Sequence, residues 1–230
     1  MTEHPALELE LDGVGVEADG TTILDGVTVR TDAARVAVIG ANGSGKSSFA
    51  RVLGGLTPIA RGRVRVHGID PATHAIRDRV GFVFTNPDAQ ILMPTVAEDV
   101  ALSLRGHGLA KRAIAERVAE ALARHGLAAH ADQPAYSLSG GQKQLLALVS
   151  VLVREPALVV ADEPTTLLDL ANARRIGDLL IGGAAPQVVV ATHDLDLAER
   201  CDIVLRFADG RLVEAGDPAT VIARYRAEFA

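Results

Sequence analysis

Aromatic residues make up only 3% of the 230-residue chain, and tryptophan is absent. Its core must therefore be built from Val, Leu, Ile and Ala. There is one cysteine, Cys201, so no intrachain disulfide can form and nothing points to secretion. The first residues carry Glu3, His4, Pro5, Glu8 and Glu10, which is no signal peptide. The longest apolar stretch, Leu145 to Val153, is interrupted by Ser150 and falls far short of a bilayer span. Basic residues are outnumbered, 23 Lys and Arg against 29 Asp and Glu, for a formal net charge of -6. A chain built to coat nucleic acid would show the opposite balance. Together these absences predict a soluble, intracellular protein without a nucleic-acid partner, in which any membrane role comes through another subunit.

What is present is a globular composition, 48% hydrophobic and 23% charged. Short apolar β-branched runs alternate with helical patterns, the mark of a largely parallel α/β sheet with crossover helices. Val36–Ile39, Gly81–Phe84, Leu158–Ala161 and Val188–Ala191 read as buried core strands. The stretch 1–35 reads differently. Leu7 to Leu11 alternates with glutamates, Asp19-Gly20 is a turn signal, and Ile23 to Val29 favours strand, which predicts an antiparallel β lobe. Residues 94–154 hold little strand signal, and Ile114, Val118 and Leu122 share one helical face, which predicts an inserted helical lobe. Residues 202–230 read as two short strands around Asp209-Gly210 and then a helix. No linker is visible, so the expectation is one domain, 1–230, with residues 36–93 and 155–230 forming the core.

Gly40-Ala-Asn-Gly-Ser-Gly-Lys-Ser47 follows a strand and precedes a helical pattern, the context required of a P-loop. Its glycines let several backbone N–H groups point at one anion, and the helix start adds positive potential. Lys46 can reach β- and γ-phosphates, and the Ser47 hydroxyl can ligate Mg²⁺. Leu158 to Glu163 is a buried strand ending in two acids. Asp162 there can join the Mg²⁺ shell, and Glu163, pointing the other way along the strand, can deprotonate an attacking water. His193, at a similar strand end, can hydrogen-bond the γ-phosphate and that water. Leu138-Ser-Gly-Gly-Gln142 precedes a strong helical run, 143–153, and makes a second anion-binding helix start.

In order and spacing these motifs resemble the ATP-binding-cassette (ABC) ATPases over nearly the whole chain. The resemblance implies a nucleotide-binding set of Gly40, Ala41, Asn42, Gly43, Ser44, Gly45, Lys46, Ser47 and Ser48, and a metal pair of Ser47 and Asp162. It implies Glu163 and His193 as catalytic residues, a signature of Ser139, Gly140, Gly141 and Gln142, and a D-loop ending at Asp169. It also implies ATP and Mg²⁺ as cofactors, and a second cassette, by preference another copy of this chain, packed head to tail. Each ATP would then lie between the P-loop of one chain and the signature of the other.

The segment Val83 to Val100 is similar to the energy-coupling-factor (ECF) importers of vitamins and metal ions, nearest to their biotin-type ATPase. Its marks are Asn86-Pro-Asp-Ala-Gln90 and the acid pair Glu98-Asp99 after Pro94-Thr-Val96. The resemblance implies a transmembrane coupling subunit facing this region, a membrane substrate-binding subunit, and a place on the cytoplasmic face of the cell membrane. Leu92 and Met93 are the better candidates for a partner surface, and Phe82 and Phe84 for core. The chain departs from the family at three points. Thr85 stands where the Q-loop glutamine falls, with Gln90 a candidate substitute. No aromatic lies between residues 8 and 25, where the family stacks one on adenine. Leu167 and Leu168 replace the small residues common before Asp169. Repair cassettes interpose a long coiled coil and translation cassettes come in pairs; this chain shows neither sustained heptads nor a second set of motifs.

Overall fold

The computed structural model describes residues 7–229. Its framework is a six-stranded sheet in the order β5-β6-β7-β3-β8-β9. β3 (Arg35–Ile39), β5 (Val80–Val83), β6 (Leu158–Asp162), β7 (Gln187–Ala191) and β8 (Ile203–Ala208) run parallel, and β9 (Arg211–Gly216) closes the edge antiparallel to β8. The apolar runs are continuous because both faces of this sheet are covered. In β3, Ala37 and Ile39 pack into a core shared with the helices, while Val36 and Val38 pack into a second core on the opposite face. Helix α1 (Lys46–Leu53) buries Phe49, Val52 and Leu53 in that second core, between the parallel sheet and a smaller antiparallel one.

The smaller sheet has the order β2-β1-β4, with β1 spanning Leu9–Ala18 and β2 Thr21–Thr31. Its third strand, β4 (Arg61–Val66), lies outside the 1–35 stretch expected to form this lobe. The segment carries an alternating signal, Val64 and Val66 buried with Arg63 exposed between Gly62 and Val64. Both Asp-Gly turns have positive φ at each residue, 49° and 75° at Asp19-Gly20 and 47° and 76° at Asp209-Gly210, as two-residue hairpin turns require. A buried amide ties the two sheets. Gln187 Nε2 donates to the carbonyls of Leu7 (3.1 Å) and Ala33 (2.9 Å), and its Oε1 lies 2.7 Å from His67 Nε2.

Between β5 and β6 lie α2 (Val96–Leu102), α3 (Lys111–Arg124) and α4 (Gly140–Leu152). Val118 and Leu122 are buried as the periodicity predicts, and Ile114 packs against them at the margin. Helix α4 begins at Gly140, earlier than residue 143, because Ser139 and Gln142 form a complete capping box. β5 starts at Val80 and stops at Val83, so Phe84 lies beyond the strand. Phe82 and Phe84 are both half-buried, their rings tilted against each other at 4.7 Å, and Phe82 packs against the margin of the second core. After β6 come α5 (Leu170–Ile181) and α6 (Leu195–Glu199), and α7 (Pro218–Ala227) ends the fold.

Candidate functional site

β6, β7 and β3 are adjacent in the sheet, and their carboxyl ends carry Asp162-Glu163, Thr192-His193 and Gly40. Parallel pairing therefore gathers the two acids, the histidine and the P-loop at one edge, where open α/β sheets collect ligands. Glu163 N donates to Ala191 O (2.8 Å) and Thr192 N to Val38 O (3.0 Å), which extends the ladder into the site.

The P-loop is held by its own groups. Lys46 Nζ donates to the carbonyls of Gly40 (2.8 Å) and Ala41 (3.0 Å). Gly40 has φ 147°, and a Cβ there would meet Phe207 O at 2.2 Å, so only glycine lets the loop lie this close to β8. Gly45, at φ 104°, is the N-cap of α1 and brings no side chain to the N–H groups of its first turn. Ser44 Oγ is buried without a partner. Uncapped N–H groups, an orphaned buried hydroxyl and an ammonium make a cradle that fits a polyphosphate. Ala41, Asn42 and Gly43 are exposed along its rim, and Ser47 and Ser48 are half-buried.

Ser47 Oγ donates to Asp162 Oδ1 at 2.8 Å, so the hydroxyl and carboxylate proposed for Mg²⁺ already meet. Burial pushes the Asp162 carboxyl above its ordinary range, against the pull of the Ser47 bond and Arg51. Burial lowers Lys46, while Glu163 and Asp162 pull it back up. Both charges are thus held at a desolvation cost that an opposite charge would relieve. An oxygen pair beside a phosphate cradle is suitable donor chemistry for a hard divalent ion.

Glu163 sits at φ 50°, an uncommon conformation for a residue with a side chain. Its Oε2 lies 2.7 Å from His193 Nδ1 and accepts from His193 N (3.3 Å) and Thr166 Oγ1 (3.3 Å). All three contacts end on Oε2, which leaves Oε1 with capacity for a water proton.

Thr85 does not reach toward the cradle as a glutamine could. Its Oγ1 donates to Asp162 O at 3.0 Å, tying the end of β5 to β6. Gln90 does not reach toward the cradle here either. Its Oε1 accepts from Phe84 N (3.1 Å) and its Nε2 donates to Ala147 O (3.1 Å), so the amide is committed to helix α4. The acid pair divides, with Glu98 exposed and Asp99 buried. Glu98 completes a capping box with Thr95, and Asp99 is 4% exposed and bonds within the fold. Leu92 is 70% exposed and suits a partner surface; Met93 is half-buried.

The signature residues divide. Ser139 and Gly140 are exposed, and a Cβ on Gly140 would meet nothing within 4 Å. Gly141 is buried, and a Cβ there would meet the Asn172 side chain at 2.3 Å. Asn172 in turn donates through N (2.9 Å) and Nδ2 (2.7 Å) to Asp169, the N-cap of α5, holding that carboxyl below its usual range. Asn172 is a site residue that sequence reasoning missed. Its signal was a polar residue three beyond an N-cap acid, which alone says only helix start. Beside it, Leu167 is 99% exposed at φ 65°, and Leu170 is 71% exposed. No described helix is long and apolar enough to cross a membrane.

The ABC transporter family profile matches residues 26–166. The biotin transport ATP-binding protein BioM of Rhizobium etli is 42% identical over 221 residues, covering 96% of this chain and 98% of that protein. The energy-coupling factor transporter ATP-binding protein EcfA1 of Symbiobacterium thermophilum is 42% identical over 224 residues, covering 90% of this chain and 77% of that protein. Among solved structures, cbiO1 of Clostridium perfringens, part of the ABC transporter complex cbiONQ, superimposes with a TM-score of 0.84 at 32% identity, covering 95% of this chain and 92% of that one. With the P-loop, the acid-tipped strand and the serine–glycine helix start in one frame, the chain belongs to the ABC transporter family, as an ATP-hydrolysing subunit that resembles the energy-coupling-factor group.

Proposed function

We propose that two copies of this chain pack head to tail, bind ATP between them and drive an importer of a vitamin or metal ion, biotin in the first instance, through a transmembrane coupling subunit and a membrane substrate-binding subunit. The observation that carries the shared site is the asymmetry between the two helix starts. The P-loop supplies a cradle from one side only, while Ser139 and Gly140 stand exposed, engaged in their own chain only through the Ser139–Gln142 capping box. Exposed Leu167 and Leu170 beside Asp169 add an apolar corner of the kind that a second copy would cover.

In this reading Gly40 to Ser48 bind the phosphates and Lys46 exchanges its two carbonyl partners for phosphate oxygens. Ser47 and Asp162 would hold Mg²⁺, which when bound supplies positive charge against the phosphates. Glu163, fixed by His193 and Thr166, takes a proton from the water that attacks the terminal phosphorus. The bond to ADP breaks, and phosphate leaves. Contacts from the partner's signature to the terminal phosphate exist only in the closed pair, so hydrolysis removes them and lets the pair open. Support for the ECF reading comes from the similarity to EcfA1 and cbiO1, and support for biotin from the 42% identity to BioM.

The test is uptake of labelled biotin into vesicles carrying the chain with its copurified membrane partners. The expected result is ATP-dependent uptake lost in Glu163→Gln. Uptake of a metal ion but not biotin by the same vesicles would contradict the substrate and keep the motor.

A further inference from the structure

The segment from Phe84 to Asp99 carries the exposed Leu92 and lies along α4, the helix whose first turn presents Ser139 and Gly140. Its ties to that helix form a ladder. Asp88 Oδ1 accepts from Lys143 Nζ at 2.7 Å, Gln90 Nε2 donates to Ala147 O at 3.1 Å, and Asp99 Oδ2 accepts from Ser150 Oγ at 3.1 Å. Residues 143, 147 and 150 follow the i, i+4, i+7 spacing of one helix face, so the rungs stack above one another.

The rungs are unequal. Asp88–Lys143 is an open ion pair of the kind that contributes little. Asp99 is different. A carboxylate in the first turn of α2 suggests a role in capping, yet Thr95 and Glu98 perform that role between themselves. Asp99 instead turns inward. Its Oδ1 accepts from the backbone N–H groups of Leu92 (2.8 Å) and Met93 (3.1 Å), and its Oδ2 takes the Ser150 hydroxyl. No Lys or Arg pairs with it among the described residues. A buried carboxylate held by two loop amides and a hydroxyl, without an ion-pair partner, ties particular backbone groups together rather than simply filling space. Its geometry is suited to something narrower, fixing two successive loop amides relative to one turn of α4. A cleft of about 190 Å³, lined in part by Gln90, Leu92, Asp99 and Ser150, opens directly over this junction.

We infer that Asp99 is a positioning residue, with Gln90 as its second anchor, that locks the Leu92 loop onto α4 so that loop and signature helix start move as one body. A displacement applied at Leu92 is then delivered to Ser139 and Gly140 without being absorbed by the loop between them. Only the identity of what displaces Leu92, a transmembrane partner, rests on the proposed function.

The rigid coupling is measured in the isolated full chain by placing spin labels at Leu92→Cys and Tyr136→Cys, both exposed positions, with native Cys201 buried. The distance distribution between them is expected to be narrow with Asp99 present. It should broaden severalfold in Asp99→Ala, broaden less in Ser150→Ala, and return to its original width in Asp99→Asn, which keeps the acceptor for the loop amides. Asp99→Ala should leave ATP affinity unchanged, which separates a loosened loop from a damaged fold. An unchanged width in Asp99→Ala, or in Ser150→Ala should the alanine variant at 99 not fold, overturns the inference. In the reconstituted transporter, Asp99→Ala should raise the ATP consumed per substrate moved, with Asn restoring it. Normal coupling alongside a broadened distance would show that the lock has no consequence for transport and would overturn its proposed role. Broadening in a chain that recovers no membrane partner contradicts the transporter reading and leaves the lock standing.

Discussion

At the start of α1, Lys46 is buried and bonded to two carbonyls of its own loop, Ser47 is bonded to Asp162, and Gly40 and Gly45 are pressed against neighbouring backbone or side chains. At the start of α4, Ser139 and Gly140 lie open, their only engagement the capping box with Gln142. Both are glycine-rich helix starts with N–H groups free to meet an anion. The first is a finished pocket wall whose buried Lys46 and Asp162 are held at a desolvation cost. The second is a surface that has no pocket of its own. The difference is what the proposed pairing of two chains accounts for, with the cradle at α1 of one copy meeting the surface at α4 of the other.

Breaking the α1 side should have the largest effect. Glu163→Gln keeps ATP affinity and slows hydrolysis by about 10²–10⁴, the range for a lost general base, read as single-turnover rates. Lys46→Ala removes affinity altogether in calorimetry, since the cradle loses its only side-chain cation.

The two signature glycines sharpen the contrast. Gly141→Ala drives a methyl into Asn172 and should cost about 1–3 kcal/mol in denaturant unfolding, as overpacking does. Asn172→Ala in the same chain should recover part of that loss. Gly140→Ala meets nothing in its own chain and should leave stability unchanged or slightly raised. It should nevertheless lower hydrolysis, because in the proposed pair the added methyl would face the other copy's nucleotide.

The smallest effect concerns charge. Burial raises the folded-state pKa of Asp162 above its ordinary value, so its ionisation costs stability once the pH exceeds that value. Asp162→Asn should therefore raise the apo-protein melting temperature at pH 7, on a scale of about 2–4 °C per kcal/mol for a chain of this size. The gap should narrow as pH falls through the raised folded-state pKa toward the ordinary carboxylate range, because the wild-type carboxyl then takes up its proton too. The same variant should lose the Mg²⁺ dependence of ATP binding.

The P-loop, the acid-tipped strand and the parallel sheet were legible because each is a local pattern whose meaning does not depend on distant residues. Strand β4 lies outside the stretch expected to form this lobe, because its place beside β1 is set by a pairing distant in sequence, Leu9 with Val66 and Leu11 with Val64. Asp99 and Gln90 read as outward-facing marks of a partner region, and both turn inward. Which way a polar side chain points is settled by the amides left unpaired in the Leu92 loop and by the carbonyl of Ala147, and these appear only once α4 is docked. The tight packing around Gly141 is hidden from the sequence for the same reason. Its contact, Asn172, comes from a helix beyond the next strand.

The most direct measurement is sedimentation of Glu163→Gln with saturating ATP and Mg²⁺. The account predicts conversion to a dimer holding two nucleotides, reversed when Ser139 is replaced by a bulky residue. A species that remains monomeric while binding one ATP per chain at full affinity would contradict it.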